Sequence, residues 1–284
     1  MVSPNPANTD QPASTQRSSA VRFGPDGKIE GRNHGPLIAE EPLEIRVRGV
    51  SYAVLMRTPG RDKDLAAGFL AAEGLLHGRE DLLALEACLD PQTGEPAANI
   101  LNAALAEGIS FTPRLSAVSS ACGVCGTRTL EELQKDCPPL VAPAPEVLSL
   151  QALHAATEAL RCVQPLFAQT AGCHGAALWN YSSDCALIDV AEDVGRHNAV
   201  DKLLGARLLA DAYPVPNAVG FVLSGRISFE LVQKGWLAGI PLIVGIGMPT
   251  SLAVETATAA GITLIGWLRD DAATVFAGNT VLRS

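Results

Sequence analysis

Residues 219–268 read VGFVLSGRISFELVQKGWLAGIPLIVGIGMPTSLAVETATAAGITLIGWL, and this stretch decides the fold. Apolar runs rich in β-branched residues occupy 219–223, 242–246 and 262–268, each bracketed by Gly or Pro. Between them lie helical patterns over 228–238 and 251–260. Strands that alternate with helices in this way indicate α/β layers around a mixed or parallel sheet. The uncharged run 235–254 has 20 residues, long enough to span a bilayer. Its four glycines, two prolines and the Thr250-Ser251 pair predict strand–turn–helix instead.

Outward from this stretch, apolar runs at 176–181 and 186–190 add two strands, and 198–212 adds a helix. Leu150, Leu153, Thr157 and Leu160 have helical spacing, so 150–161 is read as a helix with Ser149 as its cap. In 43–48, LEIRVR, alternation puts Leu43, Ile45 and Val47 on one face of a strand. Gly49 marks a turn into a return strand over 50–57, and Asp62 or Asp64 is the expected cap of a helix over 65–76. Residues 77–98 read mostly as loop and 99–118 as one or two short strands. The division is a flexible tail over 1–34, an α+β part over 35–115 and a core over 116–284, with no internal repeat.

The 284 residues carry 21 Lys plus Arg against 30 Asp plus Glu, a net charge of −9. That balance disfavours nucleic-acid polymers and anionic membranes, which select a basic face. Seven cysteines in a chain this long do not form a disulfide framework. The opening segment, MVSPNPANTDQPASTQRSSAVRF, lacks the apolar stretch of a signal peptide, so a reducing cytoplasm is the expected home.

The sharpest motif is SSACGVCG at 119–126. Thr129 to Glu132 forms a capping-box pattern that predicts a helix over 130–136, just after Cys122 and Cys125. A helix N-terminus lowers a thiol pKa, and the thiolate is the nucleophile. A lone CxxC is also half a zinc site, and it can be inert; neither a second CxxC nor a preceding HxE is present. Cys88, Cys162 and Cys185, among apolar neighbours, are expected to be buried, and Cys173 adjoins His174.

Three polar turns follow predicted strands: EDVGRHNAVDK at 192–202, SGRISFE at 224–230 and GMPTSL at 247–252. Gly-bearing turns that open helices suit phosphate groups, and Arg196 and Arg226 supply charge there. From 224 to 269 three basic residues face two acidic ones, against the acidic balance of the rest. His174 and His197 are either hydrogen-bonded structural histidines or bases for thiol activation.

In this order SSACGVCG, EDVGRHNAVDKLLG, SGRISFELVQK and AGIPLIVGIGMPTSLAVETA resemble the FdhD family of formate dehydrogenase accessory sulfurtransferases. The N-terminal EEPLEIRVRG, AVLMRTPG and DLAAGFLAAEGLL fit too, so the resemblance spans about 35–277. It implies an α/β fold whose C-terminal half is a cytidine deaminase-like α/β/α sandwich with a mixed sheet. It also implies a sulfur carrier that takes persulfide sulfur from a cysteine desulfurase. The recipient is the metal of a molybdenum bis(molybdopterin guanine dinucleotide) cofactor, the molybdenum cofactor that formate dehydrogenase needs. By this resemblance Cys122 matches the persulfide-carrying cysteine, Cys125 its less essential neighbour, and Trp267, Leu268, Arg269, Asp270, Asp271 and Ala272 the cofactor-binding segment. That segment departs from the family pattern at Ala272, where a second basic residue is usual, and Asp270 and Asp271 follow Arg269 directly. Arg196 and Arg226 are therefore read as further cofactor contacts. No tightly bound metal of its own is expected, and a homodimer is compatible with such a sandwich. Two other readings predict different chemistry: a chaperone of the pterin cofactor that carries no sulfur, and a zinc hydrolase on the deaminase-like scaffold.

Overall fold

The computed structural model describes residues 14–17, 20–23, 25, 29–33, 35–89, 92–112, 117–118, 137–140, 144–182, 186–215, 218–269 and 272–283. The CxxC motif, the helix expected over 130–136, Cys185, Asp270 and Asp271 lie outside the described residues. In chain order the strands of the first part are β1 (Thr15–Arg17), β2 (Ala20–Phe23), β3 (Ile29–Asn33), β4 (Pro36–Ile38), β5 (Glu41–Val47), β6 (Val50–Arg57), β7 (Leu82–Leu89), β8 (Pro96–Leu105) and β9 (Ala117–Val118). Helix α1 (Asp62–Ala72) lies between β6 and β7. Then come β10 (Val147–Ser149), α2 (Leu150–Cys162), α3 (Pro165–Thr170), β11 (His174–Asn180), β12 (Leu187–Asp193) and α4 (Arg196–Leu209). The chain continues with β13 (Val219–Leu223), α5 (Phe229–Leu237), β14 (Leu242–Gly245), α6 (Ser251–Ala260), β15 (Thr263–Arg269), β16 (Ala272–Ala277) and β17 (Val281–Arg283).

The apolar runs of the second half form one six-stranded sheet in the order β12–β11–β13–β14–β15–β16. β13, β14 and β15 are parallel, and the other neighbours are antiparallel. Period-2 alternation sorts their side chains to two faces. Leu178, Phe221, Leu223, Ile243 and Leu264 pack with Leu203, Leu231, Trp236 and Ala257 from α4, α5 and α6. Trp179, Val222, Leu242, Val244 and Ile265 pack on the other side with Leu153, Ala156 and Leu160 of α2. The sheet is thus covered on both faces, which is why its central strands read as unbroken apolar runs. Ser149 caps α2 through a bond from Ala152 N (3.3 Å), as its sequence predicts. No helix among the described residues is long and apolar enough to cross a membrane. The uncharged run 235–254 divides into the end of α5, β14 and the start of α6.

A second sheet, β7–β8–β5–β6–β9, is built from the first part of the chain. Leu43, Ile45 and Val47 face its core, and α1 supplies Leu65, Phe69 and Leu70. Arg48 (φ 49°) and Gly49 (φ 81°) close the β5–β6 hairpin with two left-handed residues, the geometry that matches strand twist.

Four local expectations are corrected. Helix α1 covers 62–72 instead of 65–76, and its N-cap is Arg61 (φ 58°) with no side-chain cap. Asp62 is engaged by Arg57 and Asp64 by Arg61 (2.9 and 2.7 Å), so neither aspartate caps the helix. The stretch 77–98, expected to be mostly loop, contains β7 and the start of β8. A register shift between Leu82 and Ala84 lets Leu82 and Leu85 both reach the core, so the alternation that marks a strand is broken. Within 1–34, expected as a tail, β1 pairs with β4 and β2 with β3. Ser14 is also held by main-chain contact, Ala39 N to Ser14 O at 2.9 Å. Cys162, expected to be buried, is exposed at the end of α2, while Cys88 is half-buried.

The two sheets meet where α1 crosses α4. A Cβ on Gly68 would overlap the Asp201 carbonyl, and one on Gly205 would overlap the Asp64 carbonyl. The helices therefore touch backbone to backbone, which only glycine permits here.

Candidate functional site

Because β12, β13, β14 and β15 all run the same way, their C-terminal ends share one sheet edge with the start of antiparallel β11. Three helices begin there: α4 after Gly195, α5 after Ser228 and α6 after Thr250. The turns are stitched to one another through main-chain bonds. Gly247 N donates to Gly225 O (3.3 Å), Thr250 N to Ile227 O (3.0 Å) and Trp267 N to Gly247 O (3.2 Å). Such an edge is where ligands bind in open α/β sheets.

The turn at 192–202 is at this edge, but most of its polar residues are occupied within the protein. Asp193 is fully buried and accepts from Thr58 N (3.1 Å), Gly195 N (2.8 Å) and Asn198 Nδ2 (2.9 Å). Lys202 Nζ pairs with Asp193 at 2.7 Å and donates to the Thr58 and Glu192 carbonyls. Asn198 also donates to Met56 O (2.8 Å), and Asp201 pairs with Lys234 at 2.6 Å. Glu192 accepts from Leu166 N and Phe167 N at the start of α3. These residues join the two sheets. Nothing in the sequence signals Thr58, the partner that fixes the turn from the N-terminal part.

Arg196 and His197 remain at the front of α4. Arg196 Nε is buried without a hydrogen-bond partner. Arg226 is exposed on the 224–228 turn. His174, at the start of β11, is held below the usual histidine pKa by burial and by the Arg196 and Arg226 charges. Its ring lies over Gly225, where an added Cβ would be 3.2 Å from Nδ1. His197 Nε2 is 3.1 Å from Ser228 Oγ and 3.6 Å from Glu230, while Nδ1 is buried without a partner. Burial holds His197 below the usual histidine range, with Glu230 pulling the other way. The bond from His197 brings the Glu230 carboxyl down to about 2. Ser228 and Glu230, from the polar turn at 224–230, thus meet His197 from the turn at 192–202.

Beside His174 a cleft of about 580 Å³ opens, lined by Arg161, Gln164, Phe167, Cys173, Ser224 and Gly225 among others. Cys173 Sγ is 3.5 Å from Glu192 Oε1, and burial pushes its thiol up to about 12. It is a protonated donor, the opposite of a reactive thiolate.

At the end of β15, Trp267 is 47% exposed and has a left-handed backbone (φ 56°). The Arg269 guanidinium lies 4.9 Å from its ring centroid. A non-glycine residue held in that conformation stores strain of the kind found at ligand sites. Leu268 points into the core instead, packed with α2 residues, and Ala272 is exposed. Cys122 and Cys125, like Asp270 and Asp271, fall outside the described residues.

The family model for the FdhD/NarQ family matches residues 38–283. A Mycobacterium tuberculosis protein named sulfur carrier protein FdhD is 42% identical over 248 residues, covering 84% of this chain and 89% of its own length. An Anaeromyxobacter dehalogenans protein of the same name is 44% identical over 250 residues, covering 84% of this chain and 85% of its own. A crystal structure described as a formate dehydrogenase accessory protein from Desulfotalea psychrophila has the same fold. Its TM-score is 0.72 at 24% identity, over 95% of this chain and 100% of that one.

Proposed function

Since the chain belongs to the FdhD/NarQ family, we propose that it is a sulfur carrier serving a formate dehydrogenase, with Cys122 as the carrier. The Cys122 thiolate attacks the terminal sulfur of a cysteine desulfurase persulfide. The desulfurase cysteine leaves as a thiolate, and Cys122 becomes the persulfide, by the logic of thiol–disulfide exchange. The outer sulfur is then passed to the molybdenum of a bis(molybdopterin guanine dinucleotide) cofactor, the substrate of the transfer; the reduced metal supplies the two electrons that make it sulfide, and Cys122 leaves as its thiolate. When delivery fails, the Cys125 thiolate attacks the inner sulfur of the Cys122 persulfide, closes a Cys122–Cys125 disulfide and expels the outer sulfur as hydrosulfide.

The observation that carries the cofactor half of this reading is the sheet edge. It collects three helix N-termini, the charges of Arg196 and Arg226 and the Trp267–Arg269 pair. Helix N-termini and guanidinium groups favour phosphate oxygens. An exposed aromatic ring suits a planar base. Leu268 packs in the core, and among the described residues of the 267–272 segment Trp267 and Arg269 are the polar or aromatic side chains at the edge. The helices on both faces of the mixed sheet support a cytidine deaminase-like core for the C-terminal part.

The test incubates the wild-type chain and Cys122→Ala with a desulfurase and cysteine, then maps adducts by mass spectrometry. The wild type gains about 32 Da, one sulfur atom, on the peptide holding Cys122. A variant that keeps the adduct refutes Cys122 as carrier. Complementation of a strain lacking the accessory protein separates the chaperone reading, because that reading requires Cys122→Ala to restore active dehydrogenase.

A further inference from the structure

Helix α3 forms one side of the cleft beside β11, yet little holds it there. None of its six residues is buried, and Phe167 is 40% exposed. Arg161 and Phe167 line the cleft from this side, and His174, Ser224 and Gly225 line it from the sheet. Glu192 and Gln164 fasten the helix. Glu192, on β12, accepts from Leu166 N (3.0 Å) and Phe167 N (2.8 Å). Gln164, the residue before the helix, is 4% exposed and packs its amide on β11, where a Cβ at Gly175 would overlap it. That packing is imperfect, because Gln164 Nε2 is buried with no partner in the protein. The closed arrangement carries the cost of an unpaired donor, and an opened one sheds it to water. At the far end the chain leaves α3 through Ala171, in the left-handed conformation (φ 51°), and then Gly172. Helix α4 is the contrast: its Asn198, Asp201 and Lys202 all bond to other elements. Segments with few buried apolar groups open at a lower free energy than the whole fold.

We propose that residues 164–172 are a hinged flap beside the cleft, latched by Glu192 and able to open while the sheet stays folded. Opening draws Phe167 away from the cleft and Gln164 out of its seat on β11. It also uncovers Cys173, whose Sγ lies 3.5 Å from the same Glu192 carboxylate. His174 then becomes reachable from the α3 side. In the closed form burial pushes the Cys173 thiol up to about 12, so the sulfur reacts only when the flap is open. The proposal goes beyond the sulfur-carrier reading and does not rest on it.

The experiment follows the full chain with two probes: amide hydrogen exchange, and iodoacetamide alkylation of Cys173 mapped by mass spectrometry. Ala168 N bonds to Gln164 O and Ala171 N to Phe167 O, so both amides report on α3 without touching Glu192. Both are expected to exchange at least about a hundredfold faster than Val222 in the central strand β13. Alkylation of Cys173 is expected to stay flat up to about 1 M urea, because a local opening exposes little surface. Glu192→Gln weakens the latch and is expected to speed Ala168 and Ala171 at least about fivefold more than Val222. Gln164→Leu removes the unpaired amide, so it is expected to slow both α3 exchange and Cys173 alkylation. The proposal is overturned if Ala168 and Ala171 exchange as slowly as Val222, or if the Cys173 rate climbs with urea in step with Val222. Gln164→Leu that fails to slow α3 exchange overturns it as well. Glu192→Gln that speeds all three amides equally, or none, overturns the latch and makes Glu192 a purely structural residue.

Discussion

Replacing Asp193 by asparagine tests whether the buried network holds the two sheets together. Asp193 Oδ2 pairs with Lys202 Nζ at 2.7 Å and accepts from Thr58 N, while Oδ1 accepts from Gly195 N and Asn198 Nδ2. An Asn amide keeps the shape, removes the charge and turns one acceptor into a donor that faces other donors. Lys202, almost fully buried, is then a cation without its counter-charge. Breaking one partner out of a buried pair costs about 3–5 kcal/mol. Lys202 keeps the Thr58 and Glu192 carbonyls, so the lower end applies, about 3 kcal/mol. With a urea m-value of about 3 kcal/mol/M, the unfolding midpoint falls by about 1 M. Adding Lys202→Met removes the stranded cation, so the double variant regains about 1 kcal/mol or more relative to Asp193→Asn. A midpoint shift below about 0.3 M, or strict additivity in the double variant, refutes the reasoning.

Gly68→Ala and Gly205→Ala each push a methyl into a backbone carbonyl of the facing helix, so each is expected to cost at least about 3 kcal/mol. The melting temperature then drops by roughly 6–12 °C, and a drop under about 2 °C shows that α1 and α4 part easily. Ser149→Ala removes the cap of α2 and lowers stability by about 1 kcal/mol in urea melts, with Ser149→Gly losing less. His197 has a folded pKa below its unfolded value, so the unfolded chain binds the extra proton. Its contribution is present above the unfolded pKa of about 6.5 and declines as pH falls below it. His197→Gln should flatten the stability slope on that acid side, and an unchanged slope contradicts a neutral, buried ring.

The sheet strands were legible because burial on both faces writes continuous apolar runs, as in Phe221–Leu223 and Leu242–Val244. β7 was not, because its bulge sends Leu82 and Leu85 to the same core. The start of α1 was misplaced because Asp62 and Asp64, good caps by residue type, are drawn to Arg57 and Arg61. At the site, the three polar turns, Arg196 and Arg226 could be found from strand–helix boundaries alone. The packing of the Gln164 amide on β11 could not, because it depends on a missing side chain at Gly175 in another element.

The run 192–202 shows why polar density in sequence overstates ligand contact. Helix α4 is buried along 197–205, with Leu203 in the core of one sheet and Leu208 in the core of the other. A helix enclosed on nearly all sides cannot turn charged residues to water, so each must be met inside. Asp201 meets Lys234, Lys202 meets Asp193, and Asn198 meets Met56 O, across 33, 9 and 142 positions of sequence. These partners fix how far α4 slides along β6, since Met56 and Thr58 on that side bond only one register of the helix. The same register sets where Arg196 and His197 emerge at the sheet edge. The N-terminal part therefore acts on the site through the Met56 carbonyl and through the backbone and hydroxyl of Thr58. Thr58→Val tests this: it deletes the hydroxyl that accepts from Val194 N (3.1 Å) and leaves the backbone bonds to Asp193 and Lys202. A loss of GDP affinity larger than the loss of stability is the expected result, and an equal or smaller loss would place Thr58 in the packing alone.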